Sequence, residues 1–176
     1  MSMLKVPVTS QTIASPGIMP TQTIGPFFHE GLRWSAHAAP RIGAATITIA
    51  GQVTDGADNA VTDSLLEVWV PQAVATDAQS QVPGWRRVYT EDAGRFAFSV
   101  PLPVAGEPAA WVTFFARGLL QHLFTAVYLT GDGKSATLQA IPPGRRSTLI
   151  ATQHVDNYQW DIALQGAHET VFLEPA

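Results

Sequence analysis

TITIAGQV, residues 46–53, alternates Ile47, Ile49 and Val53 against Thr46, Thr48 and Gln52. An apolar residue at every second position is the signature of a strand buried on one face, because successive side chains point to opposite sides of a pleated backbone. TDGADNAV follows as turn chemistry, its Asp-Gly and Asn residues tolerating positive φ. SLLEVWV (64–70) then reads as a second strand stopped by Pro71. Upstream, HEGLRWSAHAAPRIGAA (29–45) is polar, broken by Gly and Pro, and reads as loop.

The same reading carries to the C-terminus. Residues 71–87 have no consistent period and are expected to be loop. VYTEDAGRFAFSV is expected to form a hairpin through Glu91, Asp92, Ala93 and Gly94, with Phe96, Phe98 and Val100 on one side and Arg95, Ala97 and Ser99 on the other. PLPVAGEPA (101–109) is loop by its prolines, and WVTFFARG (111–118) is apolar enough for a strand covered on both faces. HLFTAVYL (122–129) is a strand followed by the turn TGDGKS, and residues 136–146 are short and irregular. STLIATQ (147–153) and YQWDIALQG (158–166) pattern as a hairpin, and ETVFL (169–173) as a closing strand. About eight short strands with turns at near-regular spacing and no convincing helix predict an all-β, single-domain β-sandwich over residues 46–176.

The chain has 176 residues, enough for one real core. It is 46% hydrophobic and only 14% charged, and so poor a charge supply suggests that part of the surface is covered by another chain. A net charge of −4 gives no electrostatic footprint for nucleic acid. No apolar run approaches the roughly 20 residues that span a bilayer. The N-terminal MSMLKVPVTSQTIASPG lacks the continuous apolar core of a signal peptide. With no cysteine there is neither a disulfide framework nor a thiolate nucleophile, and a cytoplasmic location is the expectation.

A search for chemistry finds no complete catalytic set. The five histidines, His29, His37, His122, His154 and His168, include no pair at a metal-ligand spacing. His122 is expected as a hydrogen-bonded core or interface residue, and Glu67 as an outward strand position sharing a face with Trp69. There is no G-x-S-x-G elbow, and GDGKS (131–135) lacks the spacing of a phosphate loop. Arg117, alone in WVTFFARGLL, must meet a carboxylate or emerge at a strand end; a structural ion pair and anion recognition both fit it.

TQTIGPFF (21–28) stands ahead of the first strand. Gly25 before Pro26 is restricted toward extended conformations, so the stretch reads as a stiff arm presenting Thr23 and Phe27, with residues 1–20 a loosely held tail and 21–45 arm and loop. An arm of this kind either clips onto its own domain or reaches a neighbour. Together TQTIGPFF, SLLEVWV, EDAGRFAF, FFARGLLQHL, RRSTLIA and YQWDIALQGAHETVFLE resemble the intradiol ring-cleavage dioxygenases, and within them the α subunits of the protocatechuate-cleaving enzymes. The likeness runs in compatible order from about residue 20 to the C-terminus.

That resemblance implies a β-sandwich and a hetero-oligomer. In the family a non-haem Fe(III) is held by two tyrosines and two histidines of a β subunit. Here the position of the first tyrosine falls on Asp77, and PLPVAGEPA has no tyrosine for the second. The His-x-His positions fall on Ala109 and Trp111, or on Ala110 and Val112 if shifted by one. The resemblance therefore implies no metal-binding or catalytic residue in this chain, with the iron in the partner β subunit. It implies a substrate-binding role for Thr23, Gly25, Pro26 and Phe27 of the arm, and for Arg117, which suits the carboxylate of protocatechuate. Phe27 stands where tyrosine is frequent, Ala126 where arginine is common, and the loops at 71–87 and 101–109 are shorter than is usual. The competing expectation is a stand-alone sandwich that binds an aromatic ligand or a partner protein without catalysis.

Overall fold

In the computed structural model the described residues are 32–36, 45–70, 82–131 and 135–174. The predicted strand at 46–53 is β1 (Thr46–Thr54), and SLLEVW is β2 (Ser64–Trp69). They lie in different sheets. One sheet runs β4 (Arg95–Pro101), β1, β8 (Tyr158–Gln159), β7 (Thr152–Gln153), with β9 (Ile162–Ala163) also pairing β1. The other runs β3 (Trp85–Tyr89), β2, β5 (Ala110–Ala116), β6 (Leu123–Val127). The inner faces meet in one core that includes Ile49, Phe98, Leu66, Val68, Val112 and Phe114, each at most 1% exposed. The all-β sandwich is as expected.

Residues 88–100 do not form a hairpin. β3 pairs with β2 and β4 with β1, so the turn at 91–94 carries the chain from one sheet to the other. Local alternation fixes which side chains are buried, and Phe96, Phe98 and Val100 are; it does not say which strand supplies the hydrogen-bonding partner. Within the turn Ala93 has φ 60° and Gly94 φ 67°, and a Cβ on Gly94 would stand 2.6 Å from the Val53 carbonyl oxygen. Glycine is needed there for both conformation and space.

Other boundaries also shift. The loop expected through residue 87 ends at Trp85, where β3 begins. Arg86 is fully buried: its Nε donates to the Ser99 carbonyl at 3.1 Å and its Nη1 to the Trp85 carbonyl at 2.7 Å, so one side chain ties β3 to β4 across the sandwich edge. A short helix, α1 (Ala136–Ala140), occupies part of the stretch read as irregular, its first turn capped by Ser135 Oγ accepting from the Leu138 N–H. Residues Pro143–Leu149 form a 3-10 helix, which removes the first half of the strand expected at 147–153. The remaining hairpin is β7–β8, two residues a side. The closing strand at 169–173 reduces to a single bridge between Phe124 and Leu173.

These C-terminal pieces cover part of the outer face of β5 and β6. Ala126, Tyr128, Leu138, Ile141 and Leu149 form a second small core, with Trp111 and Leu173 packed against it. Elsewhere the outer side of β5 is only half-buried, so the expected cover on both faces is partial. Among the described residues no helix is long and apolar enough to cross a membrane.

Candidate functional site

Arg117 is the predicted site residue that the described structure contains; Thr23, Gly25, Pro26 and Phe27 lie outside the described residues, as does Asp77. Its position follows from strand register. Ser64 on β2 faces Ala116 on β5, so Asp63 and Arg117 stand at the next rung, just where both strands end. The chain turns immediately afterwards through Gly118 at φ +87°, with the Leu119 N–H donating to the Ala116 carbonyl at 3.2 Å. Arg117 Nε donates to Asp63 Oδ2 in a charge-assisted bond. The Arg117 side chain is 61% exposed and that of Asp63 30%. Both possibilities left by the sequence are thus realised at once: the arginine emerges at a strand end and it has a carboxylate partner.

Asp63 was not legible as a partner. It sits 54 residues away in sequence, and only the antiparallel β2–β5 register brings it opposite Arg117. Rung by rung, the same outer face carries Phe115 beside Leu65, then Thr113 beside Glu67, then Trp111 beside Trp69. Glu67 does point outward, as expected, and Arg87 Nη2 from β3 donates to it; the two side chains are only 27% and 24% exposed. The Arg87 guanidinium also lies 5.4 Å from the Trp85 ring centroid, within cation–π range. His122 is not a core residue. It is exposed just before β6, its ring 4.7 Å from Phe124 and 5.6 Å from Phe115, because the strand begins one residue later than its apolar run.

Among the described residues, two depressions lie away from Arg117. One of about 1110 Å³ is lined by residues including Gly51, Gln52, Glu91, Asp92 and Arg95. A smaller one of about 350 Å³ is lined in part by Asp58, Thr148, Asp161 and His168. Neither includes Arg117.

Among the described residues, those at the ligand positions that the family resemblance implies do not fit a ferric ion. At the positions corresponding to the histidine ligands, Ala109, Ala110 and Val112 are at most 1% exposed inside the main core, and Trp111 packs on the second one. None has a lone pair to offer. The three tyrosines are dispersed: Tyr89 on β3, Tyr128 just after β6, and Tyr158 in the opposite sheet. Tyr89 aligns through Leu65 with Phe115, whereas Tyr128 lies just past the Val127–Ala110 rung, so three strand spacings and about five residues of β5 separate them, roughly 20 Å of backbone and more than two tyrosine side chains with one ion between them span. Tyr128 is buried, its hydroxyl accepting from Ser135 Oγ at 3.1 Å. Among the described residues no three His, Cys, Asp or Glu side chains gather as a metal site.

Two relatives decide the affiliation. The protocatechuate 3,4-dioxygenase alpha chain of Pseudomonas putida is 35% identical over 191 aligned positions, covering 88% of this chain and 95% of the relative. The alpha chain of the Burkholderia cepacia enzyme is 31% identical over 189 positions, covering 88% and 96%. The chain belongs to the intradiol ring-cleavage dioxygenase family. No family model matches it. Solved structures agree on the intradiol dioxygenase fold. The dioxygenase domain of a dioxygenase–carbohydrate-binding protein fusion from Streptomyces sp. SirexAA-E superposes with a TM-score of 0.53 at 21% identity, covering 84% of this chain and 98% of that one. Catechol 1,2-dioxygenase from Pseudomonas arvilla C-1 gives 0.51 at 17% identity, covering 75% and 57%.

Both alignments span more positions than the 176 residues of this chain, so these two relatives carry segments without a counterpart in it. Ala126, which stands where the family resemblance implies an arginine, is fully buried in the second core opposite Trp111. A guanidinium has no room there without displacing that layer.

Proposed function

We propose that this chain is the non-iron α subunit of a hetero-oligomeric protocatechuate 3,4-dioxygenase. In this reading an Fe(III)-bearing β subunit cleaves protocatechuate with O2 to 3-carboxy-cis,cis-muconate, in the cytoplasmic catabolism of aromatic compounds. The α chain completes the substrate pocket and is inactive alone. The observation that carries the proposal is the pairing of alpha-chain relatives over 88% of the sequence with alanine, tryptophan and valine at the histidine-ligand positions. A partner explains how a chain whose described residues gather no metal site serves a dioxygenase, and the 14% charge content suits a surface partly covered by another subunit. The arm residues Thr23, Gly25, Pro26 and Phe27 would lie along the pocket, and Arg117, exposed at a strand end, would receive the substrate carboxylate.

An iron assay and a visible spectrum test this directly. The chain purified alone is expected to be colourless and iron-free; purified with its β subunit it is expected to be red and to consume O2 with protocatechuate. Stoichiometric iron and a tyrosinate-to-Fe(III) absorption in the lone chain would overturn the proposal.

A further inference from the structure

We propose that Asp63 is a positioning residue that aims Arg117 at an incoming carboxylate. This rests on the reading of Arg117 as the carboxylate-binding residue. A guanidinium can meet a carboxylate along its Nε side or across its two terminal nitrogens. Asp63 takes the Nε–H, and among the described residues Nη1 and Nη2 have no hydrogen-bonding partner. The complete end-on edge is therefore left for a second anion, on a side chain that is mostly exposed.

Asp63 is well placed to act as a fixed anchor. It adjoins Ser64, which is fully buried, whose N–H donates to Thr90 Oγ1 at 2.9 Å and whose carbonyl accepts from the Thr90 N–H at 3.0 Å. On the facing strand Ala116 is 3% exposed and held in the β2–β5 ladder. Both ends of the ion pair thus spring from rigid, neighbouring rungs. An unanchored arginine on a turn would lose rotamer freedom each time it bound; one already tethered through Nε loses less, which lowers the cost of binding. The pair also explains why an arginine at a hairpin end is not simply solvated: Asp63 balances its charge in the free state without using the edge that recognises the ligand.

The test uses the assembled enzyme, with protocatechuate and with catechol, which lacks the carboxylate. Arg117→Ala is expected to raise KM for protocatechuate about tenfold or more, with little change for catechol. Asp63→Ala is expected to raise it roughly three- to fivefold, the loss falling on KM more than on kcat, and Asp63→Asn, which keeps an oxygen for Nε, to recover most of it. The double variant Asp63→Ala/Arg117→Ala should be no worse than Arg117→Ala alone, since Asp63 acts only through the arginine. If Arg117→Ala matters but Asp63→Ala leaves KM unchanged or lowers it, Asp63 is a bystander or a competitor and the positioning role is lost. If Arg117→Ala itself has no effect on protocatechuate, it is the carboxylate-binding reading that fails.

Discussion

The carbonyl oxygen of Trp160 occupies the space that a Cβ on Gly51 would need. The two backbones come this close because the Trp160 N–H donates to the Ala50 carbonyl at 2.9 Å, between the short parallel pairings of β8 and β9 with β1. There the ladder is interrupted, and the next N–H, that of Gln52, is taken by the Asp161 carboxylate at 2.9 Å. Gly51 is thus the point where the C-terminal segment is pinned to the first strand.

Gly51→Ala is therefore expected to destabilise the protein by about 3 kcal/mol or more, since backbone rather than a flexible side chain must move. Chemical denaturation of the variant checks this. A change within about 0.5 kcal/mol would mean that the segment from Tyr158 to Ala163 is not held against β1 as described.

The Arg87–Glu67 pair is half-buried on the outer face of the second sheet. Removing one partner leaves the other charge partly desolvated, so Glu67→Ala is expected to cost about 1–2 kcal/mol, discounted for the remaining solvent. The double variant Glu67→Ala/Arg87→Ala should cost less than the sum of the single changes, as a double-mutant cycle would measure.

Ala126→Arg tests the second core. Placing the longer, charged side chain among Tyr128, Leu138 and Leu149 is expected to destabilise by about 3 kcal/mol or more and to lower the soluble yield. A stable variant with an unchanged melting temperature would show that the cover over β6 opens easily.

Asp55 gives a pH dependence. The Asn59 N–H first, and then the Ala57 N–H and the Asn59 side chain, hold its carboxyl below the usual aspartate range. A carboxyl with a depressed folded-state pKa contributes stability above its unfolded value, and that contribution is lost as the pH falls through the folded value. Asp55→Ala should lower the melting temperature at neutral pH, and the gap between variant and parent should narrow in acid below the ordinary aspartate range. A gap that is constant with pH would remove the charged carboxylate from the account.

Fold class, the positions of the long strands and the inward set of side chains were all legible from period-two patterning, as at Ile47, Ile49 and Val53 or at Phe96, Phe98 and Val100. The family was legible too, because its motifs are contiguous stretches of residues such as FFARGLLQHL and RRSTLIA. Pairing was not. Alternation is the same whether a strand's neighbour is the next one in the chain or one in the opposite sheet, so the step from β3 to β4 read as a hairpin although it crosses the sandwich. The ion pair at the candidate site was hidden for the same reason: Arg117 announces itself as a lone charge in an apolar run, but its partner is chosen by long-range register. A hydrogen bond between residues 54 apart has no local sequence cost or signal, and only the packed β2–β5 ladder sets Asp63 against Arg117.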